Sequence, residues 1–82
     1  MSIESDRKHL ITRVATARDR LAVLSSRTSN PVLLDRIRDA DAIAAALESE
    51  CHRVVTDNLK QRIEWQAGLV EQLAADVERD LD

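Results

Sequence analysis

The chain has 82 residues, of which 44% are hydrophobic and only 1% aromatic, and its formal net charge is −3. This length limits it to one domain, and a single glycine and a single proline are too few for a meander of short strands. One cysteine excludes an internal disulfide, and the charged first residues lack the apolar run of a signal peptide. No window approaches the ~20 apolar residues of a membrane span, so we expect a cytoplasmic protein.

Charge is unevenly distributed along the chain. Residues 1–40 carry eight basic and five acidic side chains, whereas residues 41–82 carry four basic and ten acidic ones. A basic front and an acidic back favour pairing of the two halves, either within one chain or between two chains. Arginine outnumbers lysine ten to two, a bias that is typical of GC-rich bacterial or phage genomes.

The first predicted element is a helix over about residues 3–27. Apolar residues recur in it at spacings of three and four, which is typical of a helix that packs along one side against a partner. They are Ile3, Leu10, Val14, Ala17, Leu21 and Leu24. A hinge is expected at residues 28–30, because the surrounding serines, threonine and asparagine hydrogen-bond their own backbone and form helices poorly.

The second predicted helix begins at Pro31. Asn30 is a preferred N-cap residue, and proline suits the first helical position because its missing N–H would be unpaired there anyway. The apolar side of this helix comprises Leu33, Ile37, Ala40, Ala44, Leu47, Cys51 and Val54. Short connections join antiparallel neighbours, so the sequence predicts an all-α antiparallel helical hairpin within a single domain over residues 1–82.

Residues 60–82 extend beyond the reach of the first helix and are themselves amphipathic. Their apolar side comprises Leu59, Ile63, Val70, Leu73, Val77 and Leu81. An isolated helix of this length is marginal in water, so this side must be buried. A second chain could cover it if one helix runs over about 31–80. Alternatively, the chain breaks at 56–58 and the tail returns as the third helix of a monomeric bundle.

The segment around Asn58 carries signals for both structures. Asn58, with Gln61 three residues later, resembles a capping box and favours a break. No glycine or proline lies between Val32 and Ala67, and a continuous helix absorbs a slip in the apolar pattern by local unwinding. We prefer the long second helix, and with it a homodimeric, coiled-coil-like helical bundle.

The most unusual segment of the tail surrounds its tryptophan. Trp65 is the only aromatic residue in the chain and lies off the apolar side, one helical turn from Leu69. Gly68 costs a helix interior about 1 kcal/mol relative to alanine, and its missing side chain admits a close neighbour. Trp65 either covers the edge of a bundle or anchors a partner protein, since tryptophan is enriched among residues that dominate binding. We predict partner-binding roles for Trp65, Leu69 and Gly68.

Two charged patterns suggest other functions. Arg13, Arg20 and Arg27 recur every seven residues and are candidates for phosphate contacts. The acidic net charge and the lack of an aromatic stacking platform favour ion pairs with acidic residues instead, so a nucleic-acid-associated regulator is only the alternative function. A second alternative is an acidic mimic that binds a basic groove through the tail. Its acidic residues are Glu71, Asp76, Glu78, Asp80 and Asp82.

Metal and catalytic sites are not expected. Cys51 lies on the apolar side of the second helix, whereas His52 and His9 fall at outward positions, so these groups do not converge on a metal or form a catalytic pair. The aspartates of residues 35–41 are interleaved with arginines and lack a glycine-bearing loop. We therefore predict no catalytic residue, cofactor or metal, and no enzymatic activity.

These patterns predict a small non-enzymatic helical interaction protein. It would act as an adaptor, inhibitor or assembly factor by presenting helix faces to a larger protein partner. A homodimer is expected, and neither nucleic acid nor a membrane is expected as a partner.

Overall fold

The computed structural model describes residues 3–53 and 56–81. They form three α-helices, α1 (Ile3–Ser26), α2 (Pro31–Cys51) and α3 (Asp57–Asp80), and each helix packs against both others. The described residues contain no strand, so the all-α prediction is confirmed. Val54 and the side chain of Ile3, both predicted to lie on apolar sides, fall outside the described part of the chain, as does Asp82.

Interhelical ion pairs establish the directions of the helices. α1 and α3 run in the same direction, because three pairs join them in the same chain order: Asp6 with Lys60, Arg13 with Glu71 and Arg20 with Glu78. α2 runs the opposite way, since Arg36 near its start pairs with Asp80 at the end of α3 at 2.6 Å. The chain therefore passes up, down and up through the bundle.

The connection between α1 and α2 follows the sequence prediction closely. Asn30 has extended backbone and caps α2, with its side-chain oxygen accepting a hydrogen bond from the Val32 N–H at 2.9 Å, and Pro31 is the first helical residue. The hydroxyl groups of Ser25 and Ser26 donate to carbonyl oxygens three residues earlier, in the last turn of α1. Such local bonds compete with further helix, which accounts for the end of α1 at Ser26.

The preferred prediction of one helix over about 31–80 is wrong. α2 ends at Cys51, and α3 begins at Asp57. Thr56 caps α3 with extended backbone (φ −133°, ψ 155°), and its hydroxyl oxygen accepts a hydrogen bond from the Leu59 N–H at 3.3 Å. Asn58, the cap residue suggested by the sequence, lies instead in the first turn of α3.

The break lets the tail return onto its own chain. α3 packs against α1 and α2, and a single core of buried apolar side chains is shared by all three helices. The tail is therefore covered without a second chain. This removes the reason from which the sequence predicted a homodimer.

The buried residues of α1 and α2 are those of the predicted apolar sides. The buried residues of α3 differ in part from the predicted ones. In α1 and α2 the buried residues are Leu10, Val14, Ala17, Leu21, Leu24, Leu33, Ile37, Ala40, Ala44, Leu47 and Cys51. In α3 they are Ile63, Ala67, Val70, Ala74 and Val77, with Leu59 and Leu81 partly buried against them. The spacing predicts Leu73 on this side, but Ala74 takes the inward position and Leu73 is 37% exposed. A small inward residue lets the helices approach closely.

Candidate protein-binding face

Three exposed apolar side chains follow one another along α3. Trp65 is 68% exposed, Leu69 45% and Leu73 37%. Residues four apart on a helix lie on the same face, so these three form a continuous apolar row, which we name the Trp65 stripe. A single exposed leucine is ordinary, whereas a row of large apolar side chains led by tryptophan makes this face a candidate interaction surface.

An isoleucine of α2 extends the stripe across the groove between α2 and α3. Arg36 of α2 lies opposite Asp80 of α3, and the two helices are antiparallel. Because both helices rise equally per residue, seven residues further along α2 and seven back along α3 bring Ile43 opposite Leu73. Ile43 is 45% exposed. The sequence predicts neither the exposure of Ile43 nor that of Leu73, because both lie among other apolar residues with helical spacing.

The side of α3 that faces α1 is charged instead of apolar. We name Lys60, Glu71 and Glu78 the ionic side of α3; each pairs with a residue of α1. The Arg13 guanidinium donates two hydrogen bonds to the Glu71 carboxylate, at 2.7 and 3.0 Å. These bonds lower the pKa of Glu71, although partial burial acts in the opposite direction. This side is closed by contacts within the chain.

Gly68 lies on the ionic side and not within the Trp65 stripe. A Cβ atom added to it would have Arg13 Nη2 as its neighbour at 3.7 Å, which is an ordinary van der Waals distance. The close neighbour that the sequence predicted for Gly68 is thus an arginine side chain of the same molecule.

The predicted arginine row lies against acidic residues of α3. Arg13 pairs with Glu71, and Arg20 pairs with Glu78 at 2.6 Å. The Arg20 hydrogen bonds are the main cause of the lowered pKa of Glu78, and the nearby charge of Arg27 contributes to it. A phosphate group would have to displace carboxylates from Arg13 and Arg20 in order to bind.

The acidic tail residues that the structure describes accept hydrogen bonds from side chains of the same chain. Asp80 accepts a hydrogen bond from Arg36, which lowers the pKa of that aspartate. Asp76 accepts hydrogen bonds within its own helix from Gln72 and Arg79. Glu71, Asp76, Glu78 and Asp80 each have a hydrogen-bond partner within the described part of the chain.

The chemistry-bearing side chains near the end of α2 do not converge. Cys51 is completely buried, and burial, followed by the charges of Glu48 and Glu50, raises the pKa of its thiol. His52 and His9 are exposed. Within residues 3–53 and 56–81, no three histidine, cysteine or carboxylate side chains are arranged to hold a metal ion.

A second surface feature is an open groove of about 670 Å³ between α1 and α2. Arg18 crosses it and donates hydrogen bonds to Asp41 at 3.0 Å and to Glu48 at 3.3 Å. Its walls also include Leu34 and the small side chain of Ala22. The charges at the centre of the groove are therefore paired with one another across it.

No protein-family model, curated protein or solved structure matches this chain. Among the described residues, none of the helices combines the length and the apolar character that a membrane crossing requires. Of the large apolar side chains that are exposed in the described residues, Trp65, Leu69 and Leu73 form a row along one helix face.

Proposed function

We propose that this chain is a non-enzymatic, cytosolic helical interaction protein that binds a larger protein through the Trp65 stripe. It would serve as an adaptor, inhibitor or assembly factor. The observation that carries the proposal is the 68% exposure of Trp65 beside Leu69 on a helix whose inward residues are buried in the core. A large apolar side chain in water costs free energy that a partner recovers by covering it.

The arrangement of the stripe suits recognition between helices. Residues spaced by four along one helix face are the anchors with which an amphipathic helix enters an apolar groove. The stripe lies on a helix that is already folded, so little backbone entropy is lost on binding. Tryptophan contributes a large, rigid contact area and is enriched among the residues that dominate binding energies.

Affinity capture with matched variants tests this proposal. Purified wild-type protein, Trp65→Ala and Val23→Ala would be used as bait in lysate of the source organism, with bound proteins identified by mass spectrometry. Val23 is the control because it is also an exposed apolar residue, 57% accessible, but lies on α1. We expect a specific protein that is retained by wild type and Val23→Ala and lost with Trp65→Ala. An identical set of captured proteins from all three baits would contradict the proposal.

The nucleic-acid alternative has less support. Arg13 and Arg20, two of the three residues on which it depends, are paired with Glu71 and Glu78. A salt-sensitive mobility shift of DNA at physiological ionic strength would favour that alternative.

A further inference from the structure

The Trp65 stripe lies at the centre of a self-complementary pattern on α3. Leu69 has Trp65 four residues before it and Leu73 four residues after it. Seven residues before Leu69 lies Arg62, and seven residues after it lies Asp76. At 100° per residue, all five positions fall within about 80° of one another around the helix, on the side away from α1.

The two charged ends of this pattern are placed to accept a partner. Arg62 is exposed and forms no ion pair within the described part of the chain. Asp76 accepts hydrogen bonds from Gln72 and Arg79, at 3.0 and 2.8 Å, through one of its two carboxylate oxygens. An ionised carboxylate has about four acceptor positions, so a further donor can be accommodated.

We propose that the occupant of the Trp65 stripe in the isolated protein is a second copy of this chain, with the two α3 helices antiparallel across a two-fold axis at Leu69. Leu69 then packs against Leu69 of the second copy, and Trp65 against its Leu73. Arg62 pairs with Asp76 of the second copy, twice by symmetry. A parallel arrangement would instead place arginine against arginine and aspartate against aspartate. The charge pattern therefore selects the antiparallel one.

Ile43 adds to the same contact. It lies opposite Leu73 across the groove between α2 and α3, so the tryptophan of the second copy meets an apolar surface made by both helices. Each Trp65 is then enclosed by residues from both α2 and α3 of the second copy, and enclosed tryptophan side chains contribute strongly to binding.

The size of the contact predicts a weak, exchangeable dimer. At the observed exposures, Trp65, Leu69, Leu73 and Ile43 together offer on the order of 400 Å² per copy. Two such patches amount to about 800 Å², which is about half of a standard-size stable interface. The inference rests on the proposed function, because it uses the same stripe: the second copy shields the stripe until a larger partner displaces it.

Sedimentation equilibrium of charge-reversal variants tests the proposal. Wild-type protein between about 10 μM and 1 mM is expected to show a monomer–dimer equilibrium, with emission of the single tryptophan shifting to the blue as concentration rises. Arg62→Asp and Asp76→Arg should each raise the dissociation constant about tenfold, because each places like charges opposite one another. The double variant restores opposite charges and should return to within about threefold of wild type.

The restoration cannot arise inside one molecule. Residues 62 and 76 are 14 positions apart on one helix, or about 21 Å, beyond the reach of a direct ion pair. Lys8→Asp is the matched control for Arg62→Asp, because it makes the same change in net charge at an exposed position on α1. Circular dichroism establishes that each variant remains helical.

Two results would overturn the proposal. One is a 9.2 kDa monomer throughout the concentration range. The other is a dimer whose dissociation constant is unchanged by both single reversals, or is not restored by the double variant. Neither affects the proposed function, which fails separately if capture of a larger partner does not depend on Trp65.

Discussion

The two sides of α3 differ in how far contacts within the chain cover them. The ionic side faces α1, and its charged residues are paired with residues of the same chain. The Trp65 stripe, on the other side, exposes its largest side chain by 68% and has no such cover. Ion pairs at half-exposed positions set the direction and register of α3 at little cost, whereas an uncovered apolar row adds nothing to folding. This difference in cover is the observation on which the proposed binding role of the stripe depends.

The largest effect is expected from comparing Ile63 and Trp65, which are two positions apart on α3 but lie in the core and in solvent, respectively. Ile63 is completely buried, so Ile63→Ala should lower the free energy of unfolding by about 2–5 kcal/mol. Trp65→Ala removes a larger side chain but should change it by less than about 0.5 kcal/mol, since the side chain is exposed. Urea unfolding at low micromolar concentration gives both values without a contribution from association.

For binding, the Trp65 variant should have the larger effect and the Ile63 variant the smaller one. Trp65→Ala is expected to weaken association with a partner by more than about 2 kcal/mol. Comparable stability losses in the two variants would place Trp65 in the core and remove the distinction between the two sides of α3. A blue-shifted, poorly quenched emission that persists in dilute monomer would indicate the same.

The comparison depends on where α3 begins, which a pair of alanine variants tests. Thr56→Ala removes the side-chain acceptor that caps α3 and should cost about 0.5–2 kcal/mol of stability. Asn58→Ala replaces a residue of the first helical turn by a better helix former and should be neutral or slightly stabilising. A clear loss for Asn58→Ala with none for Thr56→Ala would move the start of α3 by two residues.

This pair also shows how far the sequence predicts the fold. The first connection contains Asn30 and Pro31, whose side-chain and ring chemistry define a helix start locally, and that prediction is confirmed. The second connection contains no proline or glycine, and Thr56 has Leu59 three residues later instead of the glutamate or glutamine of a capping box. Asn58 with Gln61 has the right pattern but lies inside the helix. The local signals near the break are weak, so tertiary burial of the tail, which spacing does not record, decides between the two structures.

The candidate site could be predicted from the sequence only in part, because exposure also depends on tertiary packing. Trp65 could be singled out because its position breaks the apolar spacing of its helix. Leu73 could not, because its spacing fits the predicted apolar side, whereas the structure turns Ala74 inward. Ile43 lies off the predicted apolar side of α2, but no local pattern places it beside α3. The self-complementary pattern of Arg62 and Asp76 is visible only after the side of α3 that faces α1 is known.

A smaller effect is expected at Gly68, which borders the ionic side. Gly68→Ala should stabilise the protein by up to about 1 kcal/mol, because alanine is the better helix former and the added Cβ meets Arg13 only at 3.7 Å. Thermal or urea unfolding measures the change, and Ala75→Gly on the same helix should produce a loss of similar size. If Gly68→Ala preserved stability but weakened partner binding, Gly68 would belong to the binding surface after all.

The smallest effect concerns acid and salt at the ionic side. The pKa values of Glu71 and Glu78 are lowered from their ordinary value of 4.5 by hydrogen bonds from Arg13 and Arg20. A carboxyl group whose pKa is lower in the folded state stabilises that state fully above its ordinary pKa. This contribution is lost as the pH falls below 4.5 through the folded value. We therefore expect stability to decline in that range, and more weakly in high salt, because half-exposed pairs are screened.

Glu71→Gln isolates this contribution. Its loss at pH 7 should be about 0.2–1 kcal/mol, and the variant should depend less on pH below 4.5 than wild type does. Asp39→Asn, at an exposed position on α2, is the control and should leave the acid dependence nearly unchanged. Urea unfolding at several pH values makes the measurement. A wild-type profile that stays flat below pH 4.5 would mean that the charges of the ionic side set the register of α3 without stabilising it. The Trp65 stripe would then differ from the ionic side only in its capacity to bind.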